Sequence, residues 1–205
     1  MTPRDESAME DEALRQQLAD AARQLWTRGL LHGANGLVTA EARRRRYLAP
    51  RIGDRRATLD PHRLIQVDLD GHAPDDPAHD LPPALWLPHK LAYQATANHP
   101  PTPTNPAPGT RDPRITTATA LVQPPSVLAL AKLQEDPTQP ITLPGRAPIP
   151  IVDPEDHGAL EAALADGRSV ILQDQGLFLA APSLDRLLNR AETLEAAARL
   201  DLLTR

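Results

Sequence analysis

The sequence predicts a layered α/β or α+β domain in which helices flank short strands joined mostly by hairpin turns. Near the start, Leu14, Leu18 and Leu25 recur at the three- and four-residue spacing that gives a helix one apolar face. The same spacing returns in the last helix, which Ser183 can cap. Between these ends, short apolar runs are bounded by glycine and aspartate, a pattern typical of strands and turns.

Local patterns predict the boundaries of the elements. Ser7 and Glu10 can form a capping box for the first helix. Asp153 and Pro154 are expected to begin a helix that ends at residue 166, with proline at its first position. The remaining predicted elements are strands at 37–39, 46–49, 64–69, 115–122, 169–172 and 177–180, and helices at 83–96 and 126–135.

The composition excludes several classes of protein. A formal charge of −5 argues against a general nucleic-acid role, because phosphate binding needs a surplus of lysine and arginine. The chain has no cysteine, so disulfides and thiolate metal sites are excluded. No apolar run approaches the ~20 residues that cross a bilayer, and the acidic start has no stretch typical of a signal peptide. We therefore expect a soluble cytoplasmic protein that binds neither nucleic acid nor membrane.

The length of 205 residues suits one domain. We expect this domain to span residues 10–205, after a disordered acidic tail at 1–9. The 23 prolines are about twice the usual share. They are concentrated at 100–113, where neither a helix nor a central strand can form. This segment is predicted to be a proline-rich surface loop.

Five segments carry a resemblance to a known family: 28–33, 66–71, 164–172, 173–176 and 187–195. They are similar to the class II aldolase/adducin family, and the likeness extends over nearly all of the chain outside its first residues and the proline-rich loop. The resemblance implies a three-layer αβα domain with a central, mostly antiparallel sheet. It also implies assembly into a homo-oligomer, with a tetramer favoured and a dimer possible.

The resemblance implies a specific kind of active site in the catalytic members. Family enzymes cleave or dehydrate sugar phosphates, whereas relatives such as adducin do no catalysis. The enzymes hold a divalent metal, usually zinc, with a His-x-His pair after a strand and a third histidine on a later hairpin. A glutamate acts as acid and base, and a small-residue loop with paired serines holds the substrate phosphate.

This sequence departs from that pattern at each of these positions. By resemblance, the metal-ligand positions fall on Gln123, Pro125 and Gln175, and the acid/base position falls on Leu85. Proline offers no side-chain ligand, and a neutral amide oxygen is a weak zinc donor. Leucine cannot transfer a proton. We therefore expect no metal, no cofactor and no catalytic residue of the family type.

The remaining candidates for a binding pocket are six residues: Asn35, Arg51, His89, Gln123, Asp174 and Gln175. Arg51 lies, by resemblance, near the family's phosphate loop, where it could hold an anion or simply be a solvated arginine at the rim. His89 could line the pocket or pack between a helix and the sheet. The histidines and aspartates at 72–80 could bind a divalent ion, but their proline-broken loop predicts a solvated surface.

Three functions are compatible with these residues. The one we expect is a family member that has lost metal-dependent aldolase activity and acts as a non-catalytic assembly or binding protein. The second is a metal-free enzyme with a rebuilt pocket around Arg51, Gln123, Asp174 and Gln175. The third is a zinc-dependent sugar-phosphate aldolase or dehydratase whose ligands lie at positions other than those aligned here. The sequence identifies neither a partner nor a ligand.

The end of the last helix suggests where an assembly contact could lie. Leu200, Leu202 and Leu203 continue past the apolar stripe of that helix toward the C-terminus. A monomer would leave some of them in water, and apolar residues in a polar tail often mark an interface. A closed, symmetric oligomer would bury them.

Overall fold

The computed structural model describes residues 3–32, 36–42, 45–97, 117–166 and 169–205. Within them, one sheet contains β1 (Leu37–Glu41), β2 (Tyr47–Ala49), β3 (Ile65–Val67), β4 (Ala118–Val122), β5 (Ile151–Val152), β6 (Ser169–Leu172) and β7 (Gly176–Ala181). Its flanking helices are α1 (Pro3–Thr27), α2 (Pro83–Ala97), α3 (Pro125–Lys132), α4 (His157–Asp166) and α5 (Leu184–Thr204). Asn35 and the proline-rich loop at 100–113 lie outside the described residues.

The sheet is mixed but mostly antiparallel. Its strands lie in the order β3-β2-β1-β4-β7-β6-β5. Only β5 and β6 run parallel among the described neighbours, and the other pairs are antiparallel. β4 and β7 lie in the middle, with Leu121 opposite Phe178. The C-terminal end of β4 therefore lies beside the N-terminal start of β7.

Alternation along the strands builds the three layers. Successive side chains of a strand point to opposite faces of the sheet. In β7, Leu177 and Leu179 pack into the core under α1, α3 and α5, whereas Phe178 packs into the core under α2 and α4. The predicted three-layer αβα domain with a mostly antiparallel sheet is confirmed.

Two helix starts differ from the sequence-based expectations. α1 begins at Pro3, before the Ser7–Glu10 capping box that was expected to open it. α4 begins at His157 rather than at Asp153, because the Asp156 carboxylate caps it by accepting the Ala159 amide hydrogen bond at 3.0 Å. The side chain of Asp153 instead stabilises the preceding turn.

The last helix has the predicted apolar stripe. Ser183 caps α5, accepting a hydrogen bond from the Arg186 amide at 3.2 Å. The stripe is buried at six positions: Leu184, Leu187, Leu188, Ala191, Leu194 and Ala198. It packs into the same core as α1 and α3. This layer fixes the position of α3, which lies next to the candidate site.

Candidate functional site

The turn that ends α1 leads the chain to the end of β4. Gly29 has a φ of +68°, the left-handed conformation that ends a helix, and its amide donates to the Trp26 carbonyl at 2.9 Å. The Leu30 amide donates to the Leu25 carbonyl, also at 2.9 Å. These two bonds form a Schellman motif. His32 thereby comes within hydrogen-bond distance of the residue that follows β4.

That residue is Gln123, and its hydrogen bonds join three segments of the chain. Its backbone amide donates to the Leu30 carbonyl at 2.8 Å, and its side-chain oxygen accepts from the His32 amide at 3.1 Å. Its side-chain nitrogen donates to the Gln175 carbonyl at 3.4 Å, a longer and weaker contact. Gln123 therefore connects the turn after α1, the end of β4 and the hairpin between β6 and β7.

The start of β7 approaches the end of β4 closely because the first residue of β7, Gly176, has no side chain. Asp174 has a φ of +58° and Gly176 a φ of +142°. A Cβ at Gly176 would lie 2.4 Å from the Val122 carbonyl oxygen, so no larger residue fits without a shift of the backbone. The close approach places Gln175 beside Gln123.

These segments form one wall of a cleft of about 420 Å³. The polar side chains that line it are Gln123, Lys132, Gln134, Gln173, Asp174 and Gln175. The apolar part of the lining includes Leu128, Ala131, Ile151 and Ile171. The structure thus brings together three of the six candidates from the sequence, Gln123, Asp174 and Gln175.

Arg51 lies elsewhere and is paired. Its guanidinium lies 3.0 Å from one carboxylate oxygen of Asp76, and the His79 Nδ1 lies 2.9 Å from the other. The close contact with His79 and the nearby charge of Arg51 hold the pKa of Asp76 below its usual value. Arg51 therefore ties its own loop to the loop at 72–80. In the described part of the chain, no group of three or more His, Cys, Asp or Glu side chains is placed to hold a metal ion.

His89 is a buried residue of the layer between α2 and the sheet. Its ring stacks on Trp86 with centroids 5.6 Å apart and meets the edge of Phe178 at 5.0 Å. Its Nδ1 lies 2.6 Å from the Thr119 hydroxyl, which in turn lies 2.6 Å from the Thr39 hydroxyl. Burial lowers the pKa of His89 to about 3. The ring is therefore neutral near pH 7, and it packs at a helix–sheet contact rather than lining the cleft.

The other positions singled out by resemblance carry no reactive side chain. Leu85 lies in α2 and packs, partly buried, against both apolar clusters beneath that helix. Pro125 is the first residue of α3, a position where proline is favoured because no intrahelical donor is needed.

Sequence reasoning missed the residue that caps α3. Pro124, at the N-cap position, has no side-chain acceptor for the free amides of the helix. The Glu195 carboxylate of α5 accepts from the Ser126 amide at 3.0 Å and from the Val127 amide at 3.3 Å. The missing N-cap acceptor was the available signal, although it does not say which distant residue supplies one. Lys132, Gln134 and Gln173 were also missed as lining residues.

The fold and the cleft at the ends of β4 and β6 define a class of protein. The chain matches the family model for the class II aldolase and adducin N-terminal domain over residues 16–202. It therefore belongs to the class II aldolase/adducin family. No protein with a curated description matches the chain significantly.

Solved structures with the same fold include YgbL from Escherichia coli, with a TM-score of 0.76, 22% identity, and 95% of this chain and 91% of that chain covered. L-fuculose-1-phosphate aldolase from Thermus thermophilus gives a TM-score of 0.70 and 19% identity, covering 94% of each chain. A sugar-phosphate aldolase from Thermotoga maritima gives a TM-score of 0.59 and 16% identity, and the match covers 93% of this chain and 95% of that chain. At these identities the likeness supports the fold alone.

Among the described helices, none combines the length and the apolar character that a membrane span requires.

Proposed function

We propose that this chain is a non-catalytic member of the class II aldolase/adducin family that binds a ligand or assembles without a metal. The observation that carries the proposal is the bonding of Gln123. Its amide oxygen accepts from the His32 amide and its nitrogen donates to the Gln175 carbonyl. Resemblance puts a metal ligand at this position, and here the side chain holds backbone groups instead.

The donor set around Gln123 does not fit zinc. Zinc binds neutral imidazole, thiolate or carboxylate, most often four ligands in a tetrahedron. Of the three positions aligned with metal ligands, Gln123 and Gln175 carry neutral amides, and Pro125 has no donor. Disturbing even an outer partner of a metal ligand typically costs about 10–100-fold in affinity, so three changed ligands should cost far more.

The acid/base position supports the same proposal. Leu85 is packed against apolar side chains under α2 and cannot exchange a proton. Losing general acid or base catalysis typically costs about 10²–10⁴ in rate. Arg51, one of the four residues around which a metal-free pocket could be rebuilt, does not line the cleft and is paired with Asp76. This placement supports a binding cleft without Arg51 over a rebuilt pocket that includes it.

A homo-oligomer is the second part of the proposal. Leu200 is 65% exposed and Leu203 is 75% exposed on the last turns of α5. Isolated apolar residues at a surface are normal, but these two lie on the same short stretch of helix. A tetramer is favoured by the family resemblance, and a dimer is the alternative.

The test of metal independence begins with the unmodified protein. We expect it to purify without stoichiometric zinc, and we expect micromolar zinc to leave its Tm unchanged. A metal at a hundredfold excess over its Kd would add about 2.7 kcal/mol, or roughly 5–10 °C in Tm for a chain of this size. We also expect no aldol cleavage of L-fuculose 1-phosphate, with the Thermus thermophilus enzyme as the positive control. Zinc-dependent turnover by the unmodified protein would refute the proposal.

A restored ligand set tests whether the positions are assigned correctly. The triple variant Gln123→His, Pro125→His and Gln175→His should bind zinc. Each single variant should restore no aldol cleavage, because the metal ligands and the acid/base group act together. A folded triple variant that binds no zinc, measured by equilibrium dialysis, would show that the ligand positions lie elsewhere.

A further inference from the structure

Building on the ligand-binding function proposed above, we infer that the cleft takes a small, uncharged, hydroxyl-rich molecule, such as a free sugar or polyol, and not a phosphate ester. Three features of the lining support this inference, namely its unpaired amides, its balanced charge and its apolar wall.

The first feature is a set of amide groups available to a ligand. Within the described part of the chain, the side chains of Gln134, Gln173 and Gln175 make no hydrogen bond, although all three line the cleft. Each amide offers two donors and an acceptor with two lone pairs. A hydroxyl also donates and accepts, so several hydroxyls on one small molecule can pair with these amides.

The second feature is the balance of charge around the cleft. The charged side chains among its described lining residues are Lys132 and Asp174, which are opposite in sign. Lys132 is also the last residue of α3, where free carbonyls give the helix end a partial negative charge. A phosphate monoester carries about −1.5 to −2 charges near pH 7 and would face this helix end with one lysine to compensate. A neutral ligand avoids that cost.

The third feature is an apolar wall formed by other residues of the lining. Leu128 and Ala131 of α3, Ile151 of β5 and Ile171 of β6 contribute to it. The C–H face of a sugar ring can pack against such side chains while its hydroxyls meet the amides. The cleft of about 420 Å³ falls within the usual range of small-molecule sites, roughly 300–1,000 Å³. A monosaccharide fits that volume.

The experiment compares matched probes on the full chain. Saturation-transfer NMR is measured with D-fructose, myo-inositol and D-fructose 1-phosphate at equal concentrations and at two salt concentrations. We expect saturation transfer to a free sugar or polyol. The phosphate ester should bind at least about tenfold more weakly, a difference in binding free energy of about 1.4 kcal/mol.

Variants locate the binding. Gln134→Leu and Gln175→Leu should each weaken binding about fivefold, since each removes one hydrogen-bonding group. Gln17→Leu, on an exposed position of α1, is the matched control and should bind as the unmodified protein does. Circular dichroism checks that each variant is folded. Both leucine variants should fold, because the side chains of Gln134 and Gln175 make no hydrogen bond among the described residues.

Two results would overturn the inference. One is absent transfer from both neutral probes, or tighter binding of the phosphate ester. The other is neutral-probe binding that neither leucine variant weakens, which would place the site outside the cleft. Neither result bears on zinc binding or turnover, so a failure here is distinct from a failure of the metal-free proposal.

Discussion

Acid should destabilise this fold through His89. The imidazole is fully buried and faces the uncharged hydroxyls of Thr39 and Thr119, and burial lowers its pKa from 6.5 to about 3. Between these values the unfolded chain takes up a proton that the folded chain does not. The free energy of unfolding therefore falls as the pH drops below 6.5, by about 1.4 kcal/mol per pH unit. At about pH 5 the loss from this residue is about 2 kcal/mol. Above about pH 7.5 the residue contributes no pH dependence.

The assay is urea unfolding at about pH 7.5 and pH 5, followed by intrinsic fluorescence, in the unmodified chain and in His89→Gln. Other titrating groups act in both proteins and cancel in the comparison. The variant is less stable at neutral pH because ring packing is lost, but its loss of stability between the two pH values should be smaller by about 2 kcal/mol. His62→Gln is the control, since the His62 side chain is 74% exposed, and it should behave as the unmodified chain does. An equal acid-induced loss in His89→Gln and the unmodified chain would refute the reasoning.

Further predictions concern the hairpin, the cap of α3 and the assembly. Gly176→Ala should cost about 3 kcal/mol or more because its Cβ meets a backbone carbonyl, whereas Gly145→Ala, which has a positive φ but open space, should cost about 1 kcal/mol. Glu195→Ala should cost about 1–3 kcal/mol by leaving two amides of α3 unpaired, and Glu161→Ala on the exposed face of α4 should be near neutral. Thermal and urea unfolding measure both pairs, and equal costs within a pair would contradict the structural reason given. Light scattering should find a homo-oligomer that Leu203→Glu weakens, whereas a monomer of 22.3 kDa in the unmodified chain would refute the assembly proposal.

Local patterns predicted the layers. The stripe of α5 follows from the 3.6-residue period that burial of one helix face imposes. The strands β6 and β7 are buried on both faces of the sheet, so they were predictable as short continuous apolar runs bounded by turn residues. The start of α4 was placed too early because Asp153 and Asp156 are both good caps, and only the structure distinguishes the turn-forming aspartate from the capping one. Local chemistry alone leaves that choice open.

The candidate site was only partly predictable because its parts are distant in sequence. Gln134 follows α3 and Gln173 follows β6, and they line the same cleft although they lie 39 positions apart in the sequence. Arg51 pairs with Asp76, a partner that no spacing rule indicates. For His89 both a pocket and a packing role were open, and the stacking of Trp86 on its ring decided between them. In each case the residue that decides the role lies on another element or at another position of the same helix.

The proposed loss of the metal would not leave the surrounding segments unconnected, because Gln123 joins them. A metal ion held by residues after β4 and on the β6–β7 hairpin would tie those segments together, and its loss would free them. Here the Gln123 side chain accepts a hydrogen bond from the His32 amide, which contributes on the order of 1 kcal/mol, and it makes a weaker contact with the Gln175 backbone carbonyl. Gly176 adds a close approach of the hairpin to the Val122 carbonyl that does not depend on any ligand. The segments that would surround a metal are thus held by the chain itself, as the proposed metal-free function requires.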